Sequence, residues 1–353
     1  MSRTQQRQHS IMYTGTILAV IGVTSQATAG GNCLGQRMLV SGYTSDNVHV
    51  YDSCNGNYLF DLDDTSTLNG VQASTVGPDG NLYVVSEEND SVVRFNGDTG
   101  AFIDRFVWND PMTPGDDTGG LDAPTGLTFG PDGHLYVCGF NSDNVIRYDG
   151  SSGNFMDVFV AAGSAGLNGP DAGMMFGPDG NLYVPGWFSN RVHRYDGTTG
   201  ASTGTFISSI GRPRTMLFAD GGASLLVTSW LNNRVERFNA TTGAFLGVFS
   251  NLGANARPTG MAQGPDGNLY ITSDSLNRVW QVDATDGTVL GTFVSAGSGG
   301  LAGATYISFW SPSVPIPAVS TWGVIVMALL VGAVGTLSFR SQALLSVPRT
   351  PCN

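Results

Sequence analysis

The sequence predicts an all-β chain: a six-bladed β-propeller whose ring is closed by N- and C-terminal strands in one composite blade, followed by a C-terminal transmembrane helix. Three observations point there. The octet GPDGNLYV stands at 77–84 and again at 177–184, with GPDGHLYV at 130–137 and GPDGNLYI at 264–271. The segments that follow each octet repeat too. The two ends of the repeat array carry complementary fragments of one further unit.

The octet reads as a tight turn running into a strand. Pro78 presets φ at the first central position of the turn, Asp79 can bond nearby backbone N–H groups, and Gly80 supplies positive φ. Leu82, Tyr83 and Val84 are strand formers. A phosphate-cradling loop is the functional competitor, but such a loop opens a helix, and here a strand follows.

Each unit supplies four strands. PTGLTF (124–129) precedes an octet and is the first; the LYV run is the second; NVIRY and FMDVFV are the third and fourth. The octets begin at 77, 130, 177 and 264, and the last gap of 87 spans a weaker copy at 218–250. The resulting period of about 43 residues, with several short strands per unit, is a propeller spacing. At the start, 38–63 matches strands two to four with no first strand before it; at the end, 303–309 matches a first strand with nothing after it. Joined, they make the sixth blade, and closure leaves no open sheet edge.

Only 12% of residues are charged and 49 are glycine, which suits a turn-rich β protein. The net charge of −12, with no basic cluster, excludes a nucleic-acid partner. Arg3 and Arg7, an apolar run over 11–23 and ATA at 27–29 form the pattern of a secretory signal peptide over 1–29. The propeller then occupies 30–311, and 312–353 is a C-terminal sorting and transmembrane segment. Trp322–Phe339 carries no charge and as a helix spans about 27 Å, enough to cross a bilayer. Its head, Ile316-Pro317-Ala318-Val319-Ser320-Thr321-Trp322-Gly323, resembles the IPTL-CTERM class of bacterial sorting signals, with Ala-Val in place of Thr-Leu and only Arg349 basic in the tail after Arg340. The resemblance implies an exported cell-envelope or extracellular protein, anchored at least transiently by that helix and processed by a sorting enzyme.

Cys33 precedes a second strand and Cys54 lies in a turn joining a third strand to a fourth, places that share one face of a propeller. In an oxidising compartment they are expected to pair. Cys138 reads as a small buried apolar residue.

The face opposite the GPDG turns carries the loops joining strands two and three, where propellers usually build sites. The residue that ends each second strand is Tyr43, Glu87, Phe140, Trp187, Trp230 or Asp274. These aromatics either pack between neighbouring blades or form a stacking platform for sugar rings or another flat ligand, with the carboxylates beside it. The openings of the innermost strands give Gln72, Thr125, Asp171, Arg214, Thr259 and Thr305, expected at the channel mouth. Asp171 and Arg214 sit on adjacent blades and are placed to neutralise each other. In the loop 108–120, Asp110, Asp116 and Asp117 lack calcium-loop spacing. His49, His134 and His193 do not converge, and no nucleophile motif occurs. No catalytic residue, metal ligand or cofactor is therefore expected, with a divalent cation such as Ca²⁺ or Mg²⁺ left open.

Over about 38–310, GPDGNLYV, NRVHRYD and TGAFLGVF resemble the NHL and streptogramin-lyase-like group of six-bladed propellers. That group includes lyases with catalytic histidines after a GPDGNLW–FTE motif, gluconolactonase-like enzymes with metal-binding carboxylates and an Asn, and amidating lyases with three histidines on zinc. Here VVS, VCG, VPG and ITS stand where FTE would, so none of those catalytic residues carries over. The expected function is a non-enzymatic binding or interaction scaffold for a protein or carbohydrate. The alternative is a metal-dependent lyase or lactonase, with Glu87, Asp171 and Asp274 as its acidic candidates.

Overall fold

The computed structural model describes residues 35–62, 67–112 and 115–312. The expected signal peptide, Cys33, the C-terminal helix and Cys352 lie outside the described residues. Among the described residues, no helix is long and apolar enough to cross a membrane.

Twenty-four strands form six four-stranded antiparallel sheets among the described residues. The composite blade opens with β1 (Arg37–Gly42), β2 (Asn47–Asp52) and β3 (Tyr58–Asp61). Blade 1 holds β4 (Val71–Val76), β5 (Leu82–Ser86), β6 (Ser91–Phe95) and β7 (Phe102–Val107). Blade 2 holds β8 (Pro124–Phe129), β9 (Leu135–Gly139), β10 (Asn144–Tyr148) and β11 (Phe155–Val160). Blade 3 holds β12 (Met175–Phe176), β13 (Leu182–Gly186), β14 (Arg191–Tyr195) and β15 (Ser202–Ile207). Blade 4 holds β16 (Pro213–Ala219), β17 (Ser224–Ser229), β18 (Arg234–Asn239) and β19 (Phe245–Asn251). Blade 5 holds β20 (Pro258–Gln263), β21 (Leu269–Ser273), β22 (Arg278–Val282) and β23 (Val289–Val294). β24 (Ala304–Trp310) then returns to pair with β1, from Arg37 opposite Trp310 to Gly42 opposite Ala304. The expected ring closure is thus present, and the indole N–H of Trp310 fastens it further by donating to the Gly97 carbonyl of blade 1 at 2.7 Å.

The repeated octet is scaffold, as its turn chemistry suggested. Gly80 has φ of 82°, its N–H donates to the Gly77 carbonyl, and Asp79 accepts from the Asn81 backbone N–H. The Asp79 carboxylate also accepts the Tyr83 hydroxyl at 3.0 Å. The buried Tyr83 ring stands edge-on between Phe106 of its own outer strand and Phe129 of the next blade, with centroids 4.9 and 5.0 Å away. Tyr136, Tyr183 and Tyr270 repeat this between their own pairs of phenylalanines. Such edge-to-face pairs contribute roughly 0.5–1.5 kcal/mol each beyond area burial. In the four blades that carry the phrase, one tyrosine, oriented by one turn aspartate, fills the seam with the neighbour.

A second device joins the blades on the other face. The turns between second and third strands place Asp46, Asp90, Asp143, Asn190, Asn233 and Asn277 in left-handed backbone. Each side-chain oxygen accepts the backbone N–H of the residue just before the next blade's first strand: Gly70, Ala123, Gly169, Arg212, Arg257 and Gly303, all at 2.7–3.0 Å. Those six donor positions in turn have positive φ themselves. Asn and Asp tolerate this conformation better than other non-glycine residues, and their short side chains reach a backbone donor from it.

Thr305 and Thr125 line the two cavities at the channel mouth. The hydroxyls of Thr125, Thr259 and Thr305 donate to the carbonyls of Pro170, Ala304 and Val71 in the following blade, at 2.8, 2.7 and 2.9 Å. A buried hydroxyl needs a partner, and the nearest acceptor is the adjoining strand's exposed backbone.

Candidate functional site: the channel mouth

On the face carrying the Asx clamps, each second strand ends beside the residue that opens its own blade. The N–H groups of Tyr43, Glu87, Phe140, Trp187 and Trp230 donate to the carbonyls of Gly303, Gly70, Ala123, Gly169 and Arg212. These five aligned positions are thus structurally equivalent. Tyr43, Trp187, Trp230, Asp274, Gln72 and Arg214 line one cavity of about 380 Å³. Glu87, Phe140 and Asp171 line a smaller one of about 170 Å³ that shares Gln72, Trp187 and Arg214 with it.

At the centre, Arg214 reaches from blade 4 to two other blades. Its guanidinium donates to Asp171 Oδ1 of blade 3 at 2.9 Å and to Gln72 Oε1 of blade 1 at 2.8 Å. Asp171 is 2% exposed and Arg214 6% exposed, so this is a buried pair, and removing one partner would strand the other's charge. Asp171 arrives there because the first strand of blade 3 is interrupted: a lone bridge pairs Pro170 with Gly186, and regular pairing resumes only at Met175. Arg214 Nε is buried without a partner.

Gln72 passes the network on by donating its amide N–H to the Glu87 carboxylate. Burial raises the Glu87 carboxyl to about 7; the Gln72 hydrogen bond and Arg214 oppose the rise, while Asp171 and Glu88 add to it. Tyr43 donates to Glu88 Oε1 at 2.5 Å, a partner the alignment did not single out. Burial and this bond push the phenol well above its ordinary range.

The aromatics separate into two groups. Phe140 packs on Phe188 of the next blade at 5.3 Å. Trp187 and Trp230 lie 5.1 Å apart with planes tilted by 59°. The Trp230 indole N–H donates to Asp274 Oδ2 at 2.7 Å, while Asp274 Oδ1 is buried without a partner. Sequence reasoning missed the two arginines that complete this corner. Arg212 lies over both Trp187 and Trp230 at 4.9 and 5.1 Å, Arg257 over Trp230 at 4.6 Å, and Arg214 over Trp187 at 5.5 Å. The signal was in the repeat: aligning the residues before the first strands sets two arginines among glycines and one alanine.

The other sequence candidates are engaged elsewhere. Asp116 accepts from its own loop, from Thr118 N–H and Oγ–H and from Gly120 N–H. His49 bridges Asp61 and Ser45 within the composite blade, and His193 contacts Ser189 within blade 3. Burial and the neighbouring Arg191 lower His193 to about 4. Among the described residues, no group of three or more His, Cys, Asp or Glu side chains converges on a metal-sized site. Cys138 is buried and free, and Cys54 is disulfide-bonded.

Residues 314–341 match the IPTL-CTERM motif, a C-terminal sorting signal for export. No curated protein matches the chain in sequence. Solved structures match its fold. A chain of a nidogen–laminin complex aligns with 79% of this chain and all of its own, at 16% identity and a TM-score of 0.62. A protein of unknown function from Bacteroides caccae aligns over 78% and 99% of the two chains, at 14% identity and a TM-score of 0.57. The virginiamycin B lyase of Staphylococcus aureus aligns over 81% and 93%, at 16% identity and a TM-score of 0.53. At these identities the likeness is one of fold. The protein is a six-bladed β-propeller with an IPTL-CTERM sorting motif, similar in fold to the virginiamycin B lyase and to a chain of the nidogen–laminin complex.

Proposed function

We propose that this is an exported, envelope-anchored propeller that acts as a non-enzymatic binding scaffold, with the channel mouth as its ligand site and a flat or sugar-like ligand as its occupant. The observation that carries this reading is the part-exposed Trp187–Trp230 pair beside a cavity of about 380 Å³ whose other walls are mostly polar. Aromatic faces beside convergent polar groups suit a ring that stacks and carries hydroxyls. Anchoring rests on the sorting motif and on the apolar run Trp322–Phe339.

The test is a pair of variants, Trp187→Ala and Trp230→Ala, read on a glycan array and by thermal melting. The proposal expects each to weaken binding by roughly 1–3 kcal/mol, the scale of dominant interface residues. If both variants only lower the melting temperature and leave binding untouched, the tryptophans are inter-blade packing. A metal-dependent lyase or lactonase is the second reading, favoured by the fold of the virginiamycin lyase and by the Glu87 carboxyl lifted to about 7 beside Asp171. A stoichiometric divalent ion retained at the mouth after dialysis would support it.

A further inference from the structure

We infer that the ligand of the mouth is an acidic saccharide, its carboxylate gripped by Arg212 and Arg257 at Trp230. This rests on the reading of the mouth as a ligand site.

The argument begins with the backbone. Of the six equivalent clamp positions, three are Gly and one is Ala; only blades 4 and 5 place a long side chain there, Arg212 with φ of 51° and Arg257 with φ of 41°. A residue with a Cβ is disfavoured in this conformation. The clamp does not need the side chain, because Asn190 and Asn233 bind the backbone N–H. The strain is therefore tolerated for what the guanidinium groups do.

Both guanidinium groups lie over the Trp230 ring, at 5.1 and 4.6 Å, and Arg257 lines the larger cavity of the mouth. Neither forms an ion pair with a described residue, whereas Arg214 beside them is matched by Asp171. Two cations at one ring, without an anionic partner among the described residues, repel each other, in a protein whose net charge is −12. The guanidinium fork matches a carboxylate in bidentate fashion, and an anion between the two would remove the repulsion. The buried, unpartnered Asp274 Oδ1 beside them can only accept, so it calls for a hydroxyl on the same ligand. An anion and a hydroxyl carried on a ring that can lie against indole describe a uronic acid.

The experiment titrates the full chain, purified in detergent, with an oligouronate and with its fully methyl-esterified form, following tryptophan fluorescence. The acid is expected to bind about tenfold or more tightly than the ester. Arg212→Gln and Arg257→Gln should each weaken the acid about tenfold, flatten its salt dependence and narrow the preference for acid over ester. Arg257→Gly supplies a control for folding: it should melt no lower than the parent, since glycine suits the backbone there, yet lose the preference for the acid. If ester and acid bind equally, the acidic class is wrong while the saccharide site stands. If neither binds, both readings fail. If inorganic phosphate competes as well as the monomeric uronate, the site is a general anion site and the saccharide assignment is overturned. Acid binding that survives both arginine variants places the ligand elsewhere and also overturns the inference.

Discussion

Asn233 holds Arg257 across the seam between blades 4 and 5: its Oδ1 accepts the Arg257 backbone N–H at 3.0 Å, with both residues in left-handed backbone. The same bond recurs at every seam, always from an Asp or Asn in the turn after a second strand. It ties the loop that presents the site to the strand that lines the channel. Asn233→Ala removes the acceptor and adds strain at a positive φ, so it should cost about 1–2 kcal/mol. Asn233→Gly keeps the backbone and loses only the bond, so it should cost less. Chemical denaturation of the pair reads the difference; equal stabilities for Ala and Gly would show that the bond, not tolerance of the left-handed backbone, is what Asn supplies.

Closure of the ring depends on β24. Deleting 303–310 from the chain should leave β1 as an open edge and remove Trp310 from its seat on Gly97. The expected outcome is a lower melting temperature with concentration-dependent association, read by light scattering during the melt. A deletion that melts like the parent and stays monomeric would mean that β1 needs no partner.

The Glu87 carboxyl, lifted to about 7 by burial, links stability to pH. Its folded value lies above the unfolded one near 4.5. Its favourable contribution is therefore complete below about pH 4.5 and is lost as pH rises through 7. Glu87→Gln should gain on the parent between pH 5 and 8, by about 1–2 kcal/mol once partial exposure is allowed for. Melting curves at a series of pH values test this. A constant difference between the two proteins across that range would show that Glu87 is not titrating there.

We propose Cys33 as the partner of the disulfide-bonded Cys54. A closed loop of about 20 residues is worth on the order of 3 kcal/mol less any strain. Peptide mapping without reduction should find Cys33 and Cys54 in one linked species. Recovery of Cys33 as a free thiol from the exported protein would refute the pairing.

Much of the fold was legible in the sequence because it depends on local chemistry repeated in register. A turn of Pro, Asp and Gly can only precede a strand pair of one geometry, so four copies of the octet announced four blades. The unmatched fragments at 38–63 and 303–309 announced the closure. The equivalence of Tyr43, Glu87, Phe140, Trp187, Trp230 and Asp274 also followed from alignment alone, since each ends the same strand. What the sequence could not decide was where side chains on different blades go once the ring brings them together. Arg214 spans the mouth to Gln72, 142 residues away. Thr305 lines the mouth but donates its hydroxyl to the Val71 carbonyl of the next blade. Tyr43 meets Glu88, not Glu87. Arg212 and Arg257 converge on Trp230 only because left-handed backbone at two seams swings them over the mouth. Periodicity determines which strand a residue ends and which face it occupies; the curvature of the closed ring alone decides which charges and rings from separate blades come within reach of one another.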